Sequence, residues 1–345
     1  MRVSICLMER LLAMLGKLGR GAGKAVLSAV SPAWAMTNAV VRSLFSGRAV
    51  CLQAPVISIG NIVAGGVGKT EVTVAIAKHF VKQGKRVVVA TRGYGSLWEK
   101  QTGVANDYLV ASDLKFPDEA IVLLKKAPGS YVAVGADRAA VLQEHWEELR
   151  PDVILLDDGF QHFALARELD ILVHDFDVRL PILRDFPYFL KKAALRISLS
   201  ELPMQWRQEG APWVRARYNL LGAVDSSGKR QRLPERILAF CGIGNPERFE
   251  HALAKAGSVV HGYRFFGDHQ VYTSDMIREL VAWQRKLGYP LVTTLKDYVK
   301  IKQYVESQGG IAGFEPYWVE IELQLVENET FFWNKIDEVV AVGSS

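Results

Sequence analysis

From Pro55 onward, short runs of aliphatic and β-branched residues alternate with longer stretches whose apolar positions recur every three or four residues. "PVISIG", "KRVVVATRG", "DYLVA", "YVAVG", "DVILLDDG" and "ELDILVHD" read as strands. "KTEVTVAIAKHFVKQG", "PDEAIVLLKKA" and "ADRAAVLQEHWEEL" read as helices. Strands of this kind with helices between them predict a parallel sheet covered on both faces. The pattern breaks after Asp177, where "DFDVRLPILRDFPYFLKKAALRISLSELP" is basic and punctuated by proline. "PWVRARYNLLGAVDSSGKRQRLP" then predicts two strands around a "DSSGK" turn. Alternation resumes through "RILAFCGIG", "NPERFEHALAKAG", "SVVHGYRFF", "TSDMIRELVAWQRKLG", "PLVTTLKD" and "YWVEIELQL". The expected organisation is an α/β lobe over 51–177 and a smaller α/β lobe over 178–345, whose last helix is available to pack back on the first. Residues 1–50 form a segment of their own.

That segment changes the picture drawn from bulk charge. The chain of 345 residues has a formal charge of +5, but residues 1–50 hold seven Lys/Arg against the single Glu9. The remainder is therefore near neutral, at about −1. A basic excess confined to one end suits an anionic partner, either nucleic acid or lipid. Its interleaving with apolar residues in "LMERLLAMLGKLG" favours lipid and argues against nucleic acid. The uncharged run Ala25–Val41 contains Pro32 and falls short of the roughly 20 apolar residues a spanning helix needs. An interfacial or partly inserted hairpin is expected, with a helical pair packed on the core as the alternative. Glu9 and Arg10 interrupt the first apolar run, so no secretory signal is read and the catalytic part is expected in the cytoplasm. Cys6, Cys51 and Cys241 lack metal spacing and are expected as free thiols.

The most informative stretch is "SIGNIVAGGVGKTEVT". A strand followed by glycines and Gly68-Lys69-Thr70 at the start of a helix is the pattern of a P-loop NTPase. Backbone N–H groups of Gly65, Gly66, Val67 and Gly68 can turn toward one anion, with Lys69 and the helix N-terminus adding positive charge. Thr70 offers a hydroxyl to Mg²⁺, and Glu71 follows within the binding segment. The glycine usual six residues before the lysine is replaced by Val63. "VILLDDGFQH" supplies the companion: an apolar strand that delivers Asp157 and Asp158 to the sheet edge where Mg²⁺ needs an acidic neighbour. His162 there either touches nucleotide or caps the turn. Asp118 and Glu119 in "FPDEAIV" offer a catalytic base, but after Pro117 two acids are also what a helix N-terminus prefers, and from the residues alone that capping reading is favoured. Asp268 and His269 in "FFGDHQVYT" are a second base candidate or a solvated turn. Asn245 before Pro246 reads as an N-cap.

In this order, "ISIGNIVAGGVGKT", "TRGYG", "DEAIVLLKKA", "VGADR", "ILLDDGFQH", "GIGNPERF", "GDHQVYT" and "LVTTLKD" resemble the tetraacyldisaccharide 4'-kinases of lipid A biosynthesis. The likeness covers nearly the whole chain, and that family shares the double glycine. It implies transfer of the γ-phosphate of ATP to the 4'-hydroxyl of a lipid A disaccharide 1-phosphate at the cytoplasmic face of the inner membrane. It also implies an N-terminal helix in or on the bilayer and no obligate protein partner. By the same resemblance, Lys69 and Thr70 take phosphate and Mg²⁺, and Asp157 and Asp158 take the metal-side roles. Asp118 and His269 form a base pair split between the lobes, which makes lobe closure a condition for catalysis. The family's longer loop is shortened here to "RLPILRDFP", so Arg184 matches its arginine and Asp185 its metal-side glutamate. Arg92, Arg138, Arg184 and His162 are candidates for the acceptor's 1-phosphate.

The competing reading is a switch ATPase of the partition or membrane-assembly type, whose loop reads "KGGVGKT". Ala64 stands where that class has its extra lysine. "TLKD" is not the base reader of a GTPase.

Overall fold

The computed structural model describes residues 22–45, 47–63, 68–93, 96, 98, 100–113, 115–177, 182–206, 212–268, 270–307 and 313–342. Candidate residues Gly65, Gly66, Val67 and His269 lie outside them. The order begins α1 (Ala22–Phe45), β1 (Val56–Gly60), α2 (Lys69–Lys82), β2 (Val87–Thr91), β3 (Gly103–Ala105), α3 (Tyr108–Asp113), α4 (Asp118–Lys126) and β4 (Tyr131–Val134). It continues with α5 (Arg138–Glu144), α6 (Trp146–Leu149), β5 (Val153–Asp157), β6 (Leu169–His174), α7 (Tyr188–Lys192), β7 (Leu195–Ser198), β8 (Trp213–Val224) and β9 (Arg230–Gln231). The last part is β10 (Arg236–Cys241), α8 (Pro246–Lys255), β11 (Val259–Phe265), α9 (Ser274–Leu287), β12 (Leu291–Thr294), α10 (Leu295–Ser307), β13 (Tyr317–Glu327) and α11 (Glu329–Val342).

All these strands belong to one sheet, ordered β11-β10-β12-β13-β8-β7-β6-β1-β5-β2-β4-β3, with β9 paired to β8. From β7 to β4 the pairs are parallel, as are β10 with β11 and β12, and β12 with β13. The two parallel blocks meet at the long antiparallel pair β8–β13. The sheet therefore runs on through the expected boundary at residue 177, because β7 adds to β6 and β8 to β7.

The strands that are apolar at every position divide their side chains by the strand period of two. Ile57 and Ile59 of β1, Val87 and Val89 of β2, and Val153 and Leu155 of β5 pack under α2, α4 and α11. Val56, Val88, Ala90, Ile154 and Leu156 face the opposite layer, against Ala139, Val141 and Leu142 of α5. Strand β10 repeats the device, with Ile237 and Ala239 on α8 and Leu238 and Phe240 on α9. The last helix does pack on the first block: Phe332 and Ile336 join the core of α2, and Asp337 lies 2.7 Å from His79.

Two local expectations are corrected. "DYLVA" forms helix α3 rather than a strand, because Asp107 accepts from the amides of Leu109 and Val110 at 2.7 and 3.3 Å and starts a helical turn. Its strand partner in the sheet is supplied instead by Gly103–Ala105. The apolar run of residues 25–41 lies in one helix that continues through Pro32, so no turn of a hairpin falls within it. Ser31, Trp34, Ala35 and Asn38 are buried at helical spacing, while Met36, Val40 and Leu44 are 59%, 53% and 50% exposed. One stripe thus packs on the body and another apolar stripe stays uncovered. Among the described residues no helix is long and apolar enough to cross a membrane. Cys51 and Cys241 are free thiols.

Candidate active site

The C-terminal ends of β1 and β5 place the chemistry. They pair in parallel with Ile59 opposite Asp157, so the strand that feeds the phosphate loop ends beside the strand that ends in two aspartates. Gly68 precedes α2 with φ +82, a left-handed conformation that a side chain strains. A Cβ there would sit 1.5 Å from the Tyr218 hydroxyl on β8, so this close approach also requires glycine. Lys69 and Thr70 then open the helix, whose unpaired N–H groups and positive end face the same edge.

Asp157 and Asp158 do different work. Thr70 donates from Oγ1 to Asp157 Oδ2 at 3.1 Å, and Thr73, one turn on, donates to Oδ1 at 2.8 Å. Burial raises the Asp157 carboxyl to about 6, helped by Glu119 and opposed by the Thr73 hydrogen bond. Asp158 has φ 50, which swings its side chain the other way. There Arg184 grips it with Nη1 3.0 and 2.9 Å from the two carboxylate oxygens, and Lys69 Nζ lies 3.4 Å from Oδ1. Burial would raise this carboxyl, but Arg184 and Lys69 outweigh it and hold it well below the usual range. The turn is braced from behind by buried Arg138, whose Nη1 donates to the carbonyls of Asp157 and Asp158 at 3.3 and 3.2 Å.

Arg92, Arg138, Arg184 and His162 come together. Burial lowers Arg138 to about 10; Asp158 opposes this shift, and the charges of Arg92 and Arg184 add to it. His162 is pushed down to about 2 by burial and then by Arg138, Arg167 and Arg92. It is therefore a neutral imidazole at physiological pH, half-buried in a basic cluster. Asp185 is fully buried, with Arg42 at 3.2 Å on Oδ1 and Gln161 donating to Oδ2 at 2.8 Å. It touches the aspartate pair through its neighbour Arg184 rather than directly.

Asp118 and Glu119 open α4 as the sequence suggests, yet neither side chain caps it. Both turn to α10, where Lys296 lies 3.2 Å from Glu119 and 3.8 Å from Asp118, and Lys300 lies 3.4 Å from Asp118. Burial works against the Lys296 ammonium, but Glu119, Asp118 and Asp268 raise its pKa overall. The turn that carries Asp268 thus reaches the electrostatic neighbourhood of Asp118. Glu71 pairs with Lys126 of α4, which also donates to the Ile321 carbonyl at 3.0 Å. The Asp of "TLKD" is structural: Asp297 is buried and accepts from Gly242 N, Tyr272 Oη and Thr294 Oγ1 at 3.0, 3.0 and 2.7 Å. Asn245 is the expected N-cap, accepting from Arg248 N at 3.3 Å.

Sequence reasoning missed Thr73, Tyr218, Lys296 and Lys300. Thr73 had a signal, since it follows Lys69 by four residues on one helical face. The others arrive from strands or helices remote in sequence. The Tyr218 hydroxyl is buried with no hydrogen-bond partner among the described residues, beside the phosphate loop.

A phosphate chain and its metal fit these residues. The glycine approach at Gly68, the Lys69 ammonium and the orphaned Tyr218 hydroxyl suit an anionic guest. Asp157 and Thr70 are hard oxygen donors of the kind Mg²⁺ takes. Among the described residues no three His, Cys, Asp or Glu side chains form a metal cage. Mg²⁺ bound with phosphates uses only one or two protein carboxylates, so a cage is not required.

A family model described as tetraacyldisaccharide-1-P 4'-kinase matches residues 24–341. The tetraacyldisaccharide 4'-kinase of Geobacter metallireducens is 35% identical over 297 residues, covering 80% of this chain and 86% of that protein. That of Desulfotalea psychrophila is 33% identical over 275 residues, covering 72% and 79%. The crystal structure of "apo" form LpxK from Aquifex aeolicus in complex with ATP superposes with a TM-score of 0.69 at 24% identity. It covers 92% of this chain and 99% of that one, and shows the same fold.

Proposed function

The chain belongs to the tetraacyldisaccharide-1-P 4'-kinase family, and from that premise we propose how its residues carry out the family's reaction. It is a lipid sugar kinase that transfers the γ-phosphoryl group of ATP to the 4'-hydroxyl of a lipid A disaccharide 1-phosphate. The acceptor oxygen forms a bond to the γ-phosphorus, the bridging bond to ADP breaks, and the hydroxyl proton passes to a base.

One observation carries the assignment of roles: Thr70 and Asp157 meet at 3.1 Å while Lys69 and Arg184 share Asp158. Lys69 holds the β- and γ-phosphates, with Gly68 at the helix start beside it and Glu71 tying α2 to Lys126. Thr70 and Asp157 would hold Mg²⁺, which would supply charge neutralisation on the phosphate oxygens. Asp158 keeps Lys69 and Arg184 aimed, and Asp185 supports the same side. Asp118 accepts the acceptor's proton together with His269. Arg92 and Arg184, beside neutral His162 and backed by the buried charge of Arg138, offer the positive field that a 1-phosphate needs.

The acceptor is acylated, so the enzyme meets it at a bilayer. The basic excess of residues 1–50 and the uncovered stripe Met36, Val40 and Leu44 support a peripheral seat on the cytoplasmic face of the inner membrane. The switch-ATPase reading loses to this one: Ala64 cannot supply a charge to a partner's phosphate. γ-Labelled ATP incubated with a lipid A disaccharide 1-phosphate in mixed micelles tests the reading. Label in the lipid is expected; free phosphate alone, quickened by self-association, would overturn it.

A further inference from the structure

The packed face of α1 bears directly on the segment that carries Arg184 and Asp185. Asn38 is buried and donates from Nδ2 to the Arg184 carbonyl at 2.6 Å. One turn on, Arg42 reaches Asp185 Oδ1 at 3.2 Å. The Arg42 guanidinium is walled by Phe160, Phe163 and Phe189, with its carbon 4.6, 4.4 and 4.1 Å from the three ring centres. A guanidinium held against three rings is fixed in direction, so little freedom is lost when it meets a carboxylate. Trp34, one turn before Asn38, lies 5.8 Å from the Arg184 guanidinium. Gln161 closes the circuit, donating to the Asn61 carbonyl and to Asp185, both at 2.8 Å. An unbroken series of contacts therefore leads from α1 through Arg184 to the Asp158 carboxylate.

We propose that Asn38 and Arg42 are positioning residues for phosphoryl transfer: they set the backbone of Arg184 and the carboxylate of Asp185, so the seating of α1 governs whether this segment is in working order. The catalytic consequence rests on the kinase reading above; the geometric claim does not. The backbone amides of Arg184 and Asp185 both donate to the Ile62 carbonyl, at 2.7 and 3.1 Å. Those two bonds anchor the segment to the end of β1, while α1 fixes the Arg184 carbonyl and one oxygen of the Asp185 carboxylate. A long helix that carries an uncovered apolar stripe on one side thus holds, on the other, the backbone of Arg184 and the carboxylate of Asp185.

The test uses the full chain with Arg42→Met, Arg42→Lys and Asn38→Leu. For Arg42→Met, kcat for transfer into the lipid acceptor is expected to fall at least about tenfold, with KM for ATP within about twofold of the parent. Arg42→Lys keeps the charge and the ring contacts without the planar fork, so it is expected to recover part of that loss. Amide hydrogen exchange of the peptide over residues 182–190 is expected to quicken in Arg42→Met and Asn38→Leu, while β1 and β5 exchange as in the parent. Values of kcat within about twofold of the parent in all three variants, with unaltered exchange at Arg184 and Asp185, would overturn the proposal. A fall of kcat and ATP affinity together, tracking a lowered thermal midpoint, would overturn it too, since that is what a merely structural role gives. Should Arg42→Met not fold, Arg42→Lys decides: reduced kcat at parental ATP affinity supports the proposal, and parental kcat sinks it. A parent chain that labels no lipid tells against the kinase reading instead, and hydrogen exchange still decides the geometric claim.

Discussion

The Lys300 ammonium lies 3.4 Å from the Asp118 carboxylate, joining α10 to the first residue of α4 across most of the chain. Lys296 stands beside it, between Asp118 and Glu119. These are partly exposed pairs, with side-chain exposures of 14% to 31%, so their Coulomb energy is damped by solvent. Removing a cation nevertheless leaves two adjacent carboxylates facing each other. Lys296→Met is expected to cost about 1–3 kcal/mol in denaturant unfolding, and Lys300→Met less. The Lys296 variant should also lower kcat, because Asp118 loses one of the two groups that hold its side chain.

The Thr70–Asp157 contact predicts a division between nucleotide affinity and turnover. Asp157→Asn and Thr70→Val each conserve shape while removing an oxygen donor suited to Mg²⁺. Each is expected to lower kcat on the order of a hundredfold. ATP binding without metal should change little, because Lys69 and the glycine backbone remain. Calorimetry with and without Mg²⁺ separates the two effects; equal binding loss under both conditions would remove the metal role.

Tyr218 predicts opposite effects on stability and binding. A buried hydroxyl without a partner costs about 1–3 kcal/mol, so Tyr218→Phe should leave the ligand-free protein as stable or more stable. If the hydroxyl meets the phosphate chain, the same variant gains less thermal stabilisation from ATP than the parent does. Gly68→Ala should abolish that gain outright, and Tyr218→Phe should not rescue it. The ring carbon Cζ is itself only 2.8 Å from the added Cβ.

His174 ends β6 against Phe176, and its Nδ1 is buried without a hydrogen-bond partner among the described residues. Burial pushes its pKa down to about 4, opposed by Asp175. The unfolded chain takes up this proton near pH 6.5 and the folded chain only near 4. Between those values the unfolded state binds more protons, so stability falls as pH drops. The loss approaches at most about 3 kcal/mol below pH 4, less what solvent screening removes. His174→Gln should flatten that part of the stability curve measured from pH 7 to pH 4.

Local chemistry was legible in the sequence, and long-range chemistry was not. The phosphate loop and the paired aspartates announce themselves because glycine spacing, a strand and a helix start are all contiguous there. Asn245 was readable as a cap for the same reason. "DYLVA" misled because its short continuous apolar run suits a buried strand, while one carboxylate at Asp107 captures two amides and starts a helix. Asn38 and Arg42 meet partners 146 and 143 residues away, a distance over which no sequence period carries information. The pairing of position 118 with position 269 came from family likeness alone. Asp268, next to 269, bears on the same lysine that holds Asp118.

The antiparallel ribbon of β8 and β13 has a mechanical consequence. Its ladder is interrupted at Glu320/Ile321 and at Leu325/Glu327, and Gly222 adopts φ +151 opposite the first of these. Because hydrogen-bonded strands rather than a slack tether join the two blocks, any change in the angle between them would have to wind this ribbon. Winding stores torsion, and torsion pushes back. Any such change of angle would be taken up first at the irregular rungs, where the ladder has fewest bonds to lose.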